Sequence, residues 1–365
     1  MSEESVSPEP NSTGLAVNAA WGLPLQVFYC AHCHRAHLAS TDVTLTTCPS
    51  CMQDGLSAQP ERLRREPPEL MVPFAVSEEN TAKLLTEWAK GIRFRPDDLT
   101  SDALLRRTRS YYLPLWLVDA DVEATWQAEM GYDYQAASFR EQYAGGQWAS
   151  QEVTETRVRW EPRVGRLKRH YNNVVVPALE DHDTWMSRLG GYDYRARKEY
   201  SARAMAGSVV RIPDHAPDAA WTGAETAFDR AASLECQAAS DAHHIRNWSM
   251  HAGYSNINWT QMLTPAFVTY YREGEKVYPV WINGQSGHIY GLKRMSQRKA
   301  SVTSLIIGAV AILLFLLGAL IAVMGAALVA PVALGAVLII VGVLLGLVAP
   351  IPALWVWFRN RSVDR

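Results

Sequence analysis

The feature that most constrains this chain is a long uncharged stretch near its C-terminus. Residues 300–358 contain no Asp, Glu, Lys, Arg or His and consist mainly of Leu, Val, Ile, Ala and Gly. One membrane-crossing helix takes about 20 apolar residues to span a ~30 Å hydrocarbon core. The stretch is too long for one such helix and suits two, so the sequence predicts a transmembrane helical hairpin in a lipid bilayer. Its all-round hydrophobicity disfavours the alternative, a buried hairpin in a soluble protein.

The hairpin is expected to turn between Gly325 and Pro331. Proline removes a helix donor and disfavours helix in the residue before it. The predicted helices therefore cover residues 302–325 and 332–357. Trp355 lies where an interfacial aromatic belt is expected, as does Trp357.

Basic residues flank the hairpin on both sides, and its turn carries no charge. They are Lys293, Arg294, Arg298 and Lys299 before the hairpin, and Arg359, Arg361 and Arg365 after it. The positive-inside rule then predicts two spans in the cell (inner) membrane, a basic tail at 359–365, and both termini in the cytoplasm.

Small residues recur at helical spacing within the two predicted spans. Gly342 and Gly346 form a GxxxG pair, and Gly318 with Ala322 forms a similar one. Such pairs let helices approach closely, and packing within the hairpin is favoured over the alternative, an oligomer. The spans contain no ionisable group, which argues for an anchor and against a pump or ion path.

Two CxxC pairs near the N-terminus predict a metal site. Cys30-Ala-His-Cys33 and Cys48-Pro-Ser-Cys51 are separated by fourteen residues. Each pair can form a tight knuckle, and two knuckles close a tetrahedral shell of four thiolates, which is a structural site. The predicted ligand is Zn2+, with iron or a redox dithiol as alternatives. Short strands are expected at 27–29 and 43–47, before each knuckle.

The other Cys and His residues are not expected to be metal ligands. His32, His34 and His37 could replace a thiolate, but four cysteines suffice, and surface histidines are favoured. Cys236 stands alone and is expected to be a small packed residue. Since four of the five cysteines fall within residues 30–51, a disulfide framework is disfavoured.

The region between the metal site and the membrane contains a clear strand signal. Apolar and polar residues alternate over residues 116–130, with an acidic row that includes Asp119, Asp121 and Glu123. Such alternation predicts a long strand, or a hairpin, with one buried face. The acidic row is expected to pair with a basic row at 157–163; a cation site is the alternative.

The remaining signals place helices and short strands around that strand. A helix capped by Ser77 is predicted over 78–90 and a second over 98–107. A third is predicted over 217–244. A meander follows, with strands at 265–271, 276–282 and 288–290. Histidines beyond the third helix are a weak alternative metal site: His243, His244 and His251.

The predicted fold class is α+β, mainly antiparallel, between an N-terminal four-cysteine zinc ribbon and a C-terminal two-helix membrane hairpin. Residues 1–25 are expected to be disordered and carry no signal-peptide pattern. The further predicted segments are a ribbon at 26–55, a linker at 56–70, a cytoplasmic domain at 71–295, and the hairpin at 300–358.

Several function classes are disfavoured by what the sequence does not contain. Its net charge of -2 offers no excess of cations for phosphates, which argues against a nucleic-acid partner. There is no GxxxxGK[ST], no GxGxxG after a strand, no HExxH and no GxSxG. No catalytic residue is assigned, and no cofactor beyond zinc.

With these motifs in place, residues 26–295 resemble bacterial zinc-ribbon proteins described as transcription factor IIB-type. The resemblance lies in the ribbon, in the helix ending near Trp88, and in three segments: Leu70-Met-Val-Pro-Phe-Ala-Val, Tyr112-Leu-Pro-Leu-Trp-Leu-Val-Asp-Ala and Tyr278-Pro-Val-Trp-Ile-Asn-Gly-Gln-Ser-Gly. Members are often labelled primosomal protein N′ or superfamily II helicase, a label this chain does not support because it lacks a nucleotide-binding loop. The resemblance implies membrane attachment and a link to phage-shock-type and SPFH-like membrane proteins.

The expected function is that of a membrane-anchored adaptor, which recruits or scaffolds a cytoplasmic or membrane-associated protein at the bilayer. Two alternatives stay open: an enzyme or transport accessory that acts on a lipid or membrane protein, and a membrane tether for nucleic acid. A deep pocket with perturbed titratable groups would favour the enzyme. A large exposed apolar patch would favour the adaptor.

Overall fold

The computed structural model describes residues 20–59, 66–324 and 329–363. They form one large mixed β-sheet, helices packed on it, and three helices at the C-terminal end. The α+β class is confirmed. All strand pairs are antiparallel except the pairs of β4 with β9 and β5 with β8.

Eleven strands are found in the described residues. They are β1 (Leu25–Cys30), β2 (Ala36–Ser40), β3 (Leu56–Gln59), β4 (Leu70–Met71), β5 (Arg109–Ala144), β6 (Gln147–Pro177), β7 (Lys198–Glu199), β8 (Val209–Arg211), β9 (His244–Glu273), β10 (Lys276–Asn283) and β11 (Ile289–Gly291). The main path through the sheet runs β11-β10-β9-β5-β8-β2-β1-β3.

The α-helices of the described residues fall into two groups. On the sheet lie α1 (Glu78–Ala89), α2 (Ser101–Arg107), α3 (His182–Leu189), α4 (Ala202–Met205) and α5 (Pro217–Ala239). At the C-terminal end lie α6 (Gln297–Met324), α7 (Val329–Val348) and α8 (Ile351–Val363). As predicted, the Ser77 side chain caps α1, where it accepts a hydrogen bond from the Asn80 amide. The third predicted helix ends at Ala239, five residues early, because β9 begins at His244.

Strand β5 organises the sheet and has 36 residues, which is about 120 Å at 3.3 Å per residue. Near its start both faces are buried, whereas from residue 121 onward mainly the even-numbered side chains are buried. Helix α5 covers that face, with Phe228 packed among Val118, Val122 and Ala124. The predicted long strand is confirmed and extends past residue 130.

Beyond residue 131 the sheet narrows to two strands. The last pair between β5 and β9 is Gly131 with His244, while β5 and β6 stay paired up to Ala144 with Gln147. The remaining hairpin, residues 132–159, is called the arm. Its turn holds Gly145 and Gly146 at φ of 62° and 85°, as a type I′ turn requires.

The acidic row of β5 faces β6 as predicted, but in a different register. Asp121 lies opposite His170 and Glu123 opposite Lys168, so the predicted pairing with residues 157–163 is wrong. The arginines at 157–163 pair within their own strand, with Glu155 and Glu161. The turn at 145–146 sets this register, since it places Arg157 and Arg159 opposite Tyr134 and Tyr132, and Arg163 opposite Ala128.

The four-cysteine segment belongs to the same sheet. Strands β1, β2 and β3 pair with one another, and β2 also pairs with β8. The pairing of β1 continues to Gln59 through β3, beyond the predicted ribbon at 26–55. The predicted strand at 43–47 is wrong, because β2 at Ala36–Ser40 supplies the partner of β1.

Two segments expected to lack structure are partly ordered. Residues 56–59 of the predicted linker form β3, since they complete the pairing of β1; residues 60–65 lie outside the described residues. In the predicted disordered segment, residues 1–19 are also outside them. Trp21 is 5% exposed and packs in a core cluster, so order begins no later than residue 20.

The C-terminal helices pack as an antiparallel pair through glycine. A Cβ at Gly318 would lie 2.7 Å from the Gly335 carbonyl oxygen, and one at Gly342 would lie 2.9 Å from the Ala311 oxygen. The predicted packing within the hairpin is confirmed for Gly318 and Gly342. Gly346 contributes less, since its Cβ would only touch the Ala311 side chain at 4.0 Å.

The second predicted helix, 332–357, contains a turn. A two-residue turn at Ala349 and Pro350 separates α7 from α8, because proline lacks the donor that a continuous helix needs. Two segments are long and apolar enough to cross a membrane, Gln297–Met324 and Val332–Ser362, and few of their side chains are buried in the molecule. The predicted break at 325–331 falls mostly outside the described residues, as do the last two residues of the tail.

The two ends of the hairpin meet the sheet region at one junction. The Asn360 side chain accepts a hydrogen bond from the Met295 amide at 3.1 Å and donates one to the Met295 carbonyl at 2.9 Å. On the other side, the Ser296 amide donates to the Phe94 carbonyl at 2.7 Å. Both ends of the hairpin therefore lie on the same side of the apolar helices.

Candidate metal centre

The two CxxC pairs come together at the end of β1. Cys30 closes β1, and each pair sits in a tight turn whose backbone is held by internal hydrogen bonds, from the His34 amide to the Cys30 carbonyl and from the Met52 amide to the Cys48 carbonyl. Both His34 and Met52 adopt positive φ, 57° and 58°. These matching turns aim all four sulfur atoms at one point.

The four sulfur atoms fit a single tetrahedral metal ion. All lie within 4.8 Å of one another, with 3.6 Å between Cys30 and Cys51 and 3.7 Å between Cys33 and Cys48. Thiolates 2.3 Å from a tetrahedral zinc ion would be about 3.8 Å apart. The four predicted ligands can therefore hold one metal ion, and they leave no position open for substrate.

His37 lies behind the cysteines and is fully buried, unlike the exposed His32 and His34. The prediction of a surface histidine is therefore wrong for His37 and confirmed for the other two. Its Nε2 atom lies 3.3 Å from Cys48 Sγ and its Nδ1 atom 3.2 Å from the Tyr111 hydroxyl. Ser50 Oγ lies 3.0 Å from the same hydroxyl.

These contacts define one arrangement of protons when the sulfur is a thiolate. His37 donates from Nε2 to the Cys48 sulfur, and Tyr111 donates to His37 Nδ1, so the imidazole is neutral. Burial lowers the pKa of His37 to about 3, with Arg211 and Arg35 adding to the effect. The neutral ring is a support of the kind that orients metal ligands from outside the ligand shell.

Burial also affects the thiols themselves. It raises the pKa of Cys51 to about 11 and raises that of Cys48 further. Without a cation beside them these buried thiols would stay protonated at neutral pH. A metal ion bound by the four cysteines would supply the positive charge that stabilises their thiolates. Deprotonated thiolates are the form in which cysteine binds a metal.

The polar network ties the metal centre to the centre of the sheet. Tyr111 is a fully buried residue of β5, and Ala39 and Trp185 pack in the same core cluster. On the ribbon side, Arg35 forms an ion pair of 2.7 Å with Asp181, next to α3. A change in the metal centre would therefore act on the core around β5 as well as on the ribbon.

The other candidate metal residues do not assemble into a site. Within the described residues, the four cysteines are the cluster with metal-binding geometry. His244 contacts the Asp133 carboxylate at 2.8 Å, His243 accepts from the Asp133 amide, and His251 pairs with Thr125 further along. Cys236 is buried beside Ala128 and Met130, as expected.

The acidic row likewise forms hydrogen bonds. Asp121 contacts His170 Nδ1 at 2.6 Å and accepts from the Asn256 side chain at 2.6 Å. His170 Nε2 in turn contacts Asn172 at 2.8 Å. The hydrogen bond with Asp121 raises the pKa of His170. Both ring nitrogens are engaged, and the group lies at the strand surface where β5 and its neighbours are bulged.

No periodic pattern in the sequence predicts the contact between His37 and Tyr111. They are 74 residues apart and meet because β8 pairs with both β2 and β5. The only local sign is that His37 precedes two apolar residues, Leu38 and Ala39, close to the first CxxC pair. A histidine at such a position can be a core residue or can donate a hydrogen bond to a cysteine. The two cases are distinguished by the strand pairing, which local sequence does not show.

Comparison with known proteins gives one distant similarity. The chain is 21% identical over 238 residues to the Uncharacterized protein YdjG of Bacillus subtilis (strain 168), a match that covers 64% of this chain and 66% of that protein. The match thus spans just under two thirds of that protein's length. No family model and no solved structure matches the chain.

Proposed function

We propose that this protein is a membrane-anchored adaptor that binds a cytoplasmic or membrane-associated protein through its arm and holds it at the bilayer. The observation that carries the proposal is the arm itself. It extends roughly 40 Å beyond the last residue of β5 that pairs with β9. An arm that projects this far from the sheet can contact another macromolecule.

The apex of the arm carries exposed aromatic side chains on one face. Phe139, Tyr143 and Trp148 are 66%, 61% and 71% exposed. Residues 139 and 143 share a face because they are four apart on a strand, and Trp148 lies directly opposite Tyr143, with 5.3 Å between their ring centres. Exposed Trp and Tyr residues are enriched among those that dominate protein interfaces.

The anchor is proposed to be the hairpin of α6, α7 and α8, with both termini in the cytoplasm of a bacterial cell and the spans in its inner membrane. Its exposed side chains are apolar on nearly every face, which suits lipid. Basic residues flank the junction where both hairpin ends meet, and these favour the cytoplasmic side. Anchoring would raise the partner's local concentration at the bilayer.

The metal is proposed to be zinc in a structural role, as in the transcription factor IIB-type ribbon proteins that the chain resembles. The four sulfurs have the spacing that zinc requires and leave no coordination position open. Metal analysis of the purified protein should give about one zinc per chain. Cys48→Ser with Cys51→Ser should abolish it, whereas the control Cys236→Ser should retain it.

The adaptor proposal is tested with the full-length protein in its native membrane. Crosslinking and affinity capture are compared for the wild type and a variant with Phe139→Ser, Tyr143→Ser and Trp148→Ser. The variant should remain in the membrane and lose a defined partner. The partner should then shift to the soluble fraction, since nothing else in the proposal holds it at the bilayer.

The matched control changes the opposite face of the same arm, with Arg140→Ala, Gln142→Ala and Gln151→Ala. This control should capture the partner as the wild type does. An unchanged set of captured proteins in the aromatic variant would contradict the proposal. Turnover of a lipid or protein substrate by the purified protein would instead favour the enzyme alternative.

A further inference from the structure

The junction between the sheet region and the hairpin contains a groove with both apolar and cationic walls. Arg93 and Phe94 form one wall, and Ile351, Pro352 and Trp355 of α8 form the other, around a volume of about 540 Å³. Its position next to α8 places it where the proposed anchor would leave the bilayer.

The wall formed by α8 changes character along its axis. Ile351, Trp355 and Arg359 follow one another at four-residue spacing and therefore share a helix face. Ile351 is the end next to the apolar helix α7, and Arg359 is the end next to the junction. The order apolar, aromatic, cationic matches the order of acyl chain, glycerol region and headgroup in a phospholipid.

The opposite wall is held in an unusual backbone conformation. Phe94 has a φ of +50°, which is uncommon for an aromatic residue. Its side chain packs against Met295, Ala300 and Val356 at the base of the hairpin, and its carbonyl accepts the Ser296 amide hydrogen bond. These contacts fix the loop, and they leave Arg93 and Arg95 exposed beside the groove.

Four of the cations at the junction have no acidic partner in the described part of the chain. A basic collar consists of four exposed arginines, Arg93, Arg95, Arg298 and Arg359, and no ion pair joins their side chains to a carboxylate among residues 20–59, 66–324 and 329–363. The nearby Asp97 pairs with Lys299, and Asp98 pairs with Arg107. The collar therefore presents uncompensated positive charge at the proposed membrane surface.

We infer that this groove binds the headgroup of an anionic phospholipid, with Arg93 and Arg359 on the phosphate-bearing headgroup and Trp355 and Ile351 along the start of the acyl chains. The charge of the collar and the apolar-to-cationic order of α8 select a lipid over a soluble anion. A free phosphate would gain nothing from Ile351 or Trp355. The inference rests on the proposed membrane anchor and adds a lipid preference to it.

The test uses full-length protein reconstituted in nanodiscs that contain equal amounts of phosphatidylcholine and phosphatidylglycerol. Lipids that stay bound are identified by native mass spectrometry after mild delipidation. The wild type should retain phosphatidylglycerol in excess over phosphatidylcholine. Arg93→Gln with Arg359→Gln should reduce that excess roughly 25-fold, since each cation near an anionic bilayer contributes about a factor of five.

Two further variants make the result specific. Arg93→Lys with Arg359→Lys keeps the charge and should retain most of the excess. Arg140→Gln with Arg166→Gln removes the same charge from the distant β5–β6 hairpin and should behave as the wild type. Inorganic phosphate in millimolar excess should not displace the bound lipid, whereas displacement would identify a site for soluble anions and overturn the inference.

Bound lipid with the same composition as the nanodisc, or equal retention in the Arg93→Gln, Arg359→Gln variant, would also overturn it. These outcomes leave the anchor itself intact, because the protein would still insert. Failure of the wild type to insert into nanodiscs at all would instead contradict the proposed membrane anchor. The two failures are therefore distinguishable in one experiment.

Discussion

At the scale of single residues, the most consequential contact is the one between His37 and Cys48. A thiolate bound to a metal keeps partial negative charge, and a buried N–H group that points at it stabilises that charge. The donor is held in place because the Tyr111 hydroxyl, which also contacts Ser50 Oγ, donates to the other nitrogen of the ring. If the four cysteines hold a metal ion, His37 is placed to influence how tightly it is bound.

We predict that His37→Ala weakens metal binding by about 10–100-fold, the usual effect of removing such a support. The measurement is competition for zinc against a chelator of known affinity, with the full-length protein. His32→Ala, which changes an exposed histidine inside the first CxxC pair, is the control and should compete as the wild type does. Equal zinc retention in both variants would show that the hydrogen bond to Cys48 has no role in binding.

At the scale of secondary structure elements, the hairpin depends on glycine where its helices touch. Gly318→Ala would place a methyl group 2.7 Å from the Gly335 carbonyl oxygen, a contact that backbone atoms cannot relieve without separating the helices. We expect a loss of about 1–3 kcal/mol in stability, the usual cost of overpacking. Thermal unfolding of the detergent-solubilised protein should show a lower midpoint.

The control for this prediction is Gly308→Ala, on the same helix. A Cβ there would meet Ala349 Cβ at 3.9 Å, an ordinary contact. It should leave the midpoint unchanged or raise it slightly, because alanine is the better helix former. A midpoint that falls equally in both variants would mean that helix propensity or folding yield, and not the close backbone contact, is being measured.

The long strands should differ in stability along their length. An isolated two-stranded hairpin is marginal in water, and the arm has neither a third strand nor the covering helix α5. We predict that amides of residues 134–143 exchange with solvent faster than those of residues 112–122 in the same strand, β5. Hydrogen exchange with mass spectrometry measures this, and uniform protection along β5 would contradict it.

Sequence periodicity predicted the elements well where one face is buried and poorly where sheet pairing decides. The alternation over residues 116–130 identified β5 because α5 covers one face. The arm has no buried face, so periodicity stopped there, although Gly145-Gly146 was an available turn signal. The cysteine spacing predicted that the four sulfur atoms cluster, yet not that β2 pairs with β8 and joins the four-cysteine segment to the rest of the sheet.

At the scale of the whole molecule, the junction predicts the topology of the anchor. Asn360 binds Met295 at the base of α6, so we predict that both hairpin ends lie on one side of the membrane. In a protein with Cys236→Ser, a membrane-impermeant thiol reagent added outside should reach a cysteine placed at position 327 and not one placed at 362. Labelling at 362 in sealed vesicles would rule out the hairpin.

One structural feature also bears on solubility. Among the described strands, β6 pairs with β5 alone. One edge of this 31-residue strand is therefore open. An open edge of this length is a template for edge-to-edge aggregation. The exposed ion pairs of Arg157, Arg159 and Arg163 with glutamates of the same strand contribute little to folding. Their consequence is colloidal: a second copy that approached this edge would have to strip water from a row of charges, which disfavours edge-to-edge association.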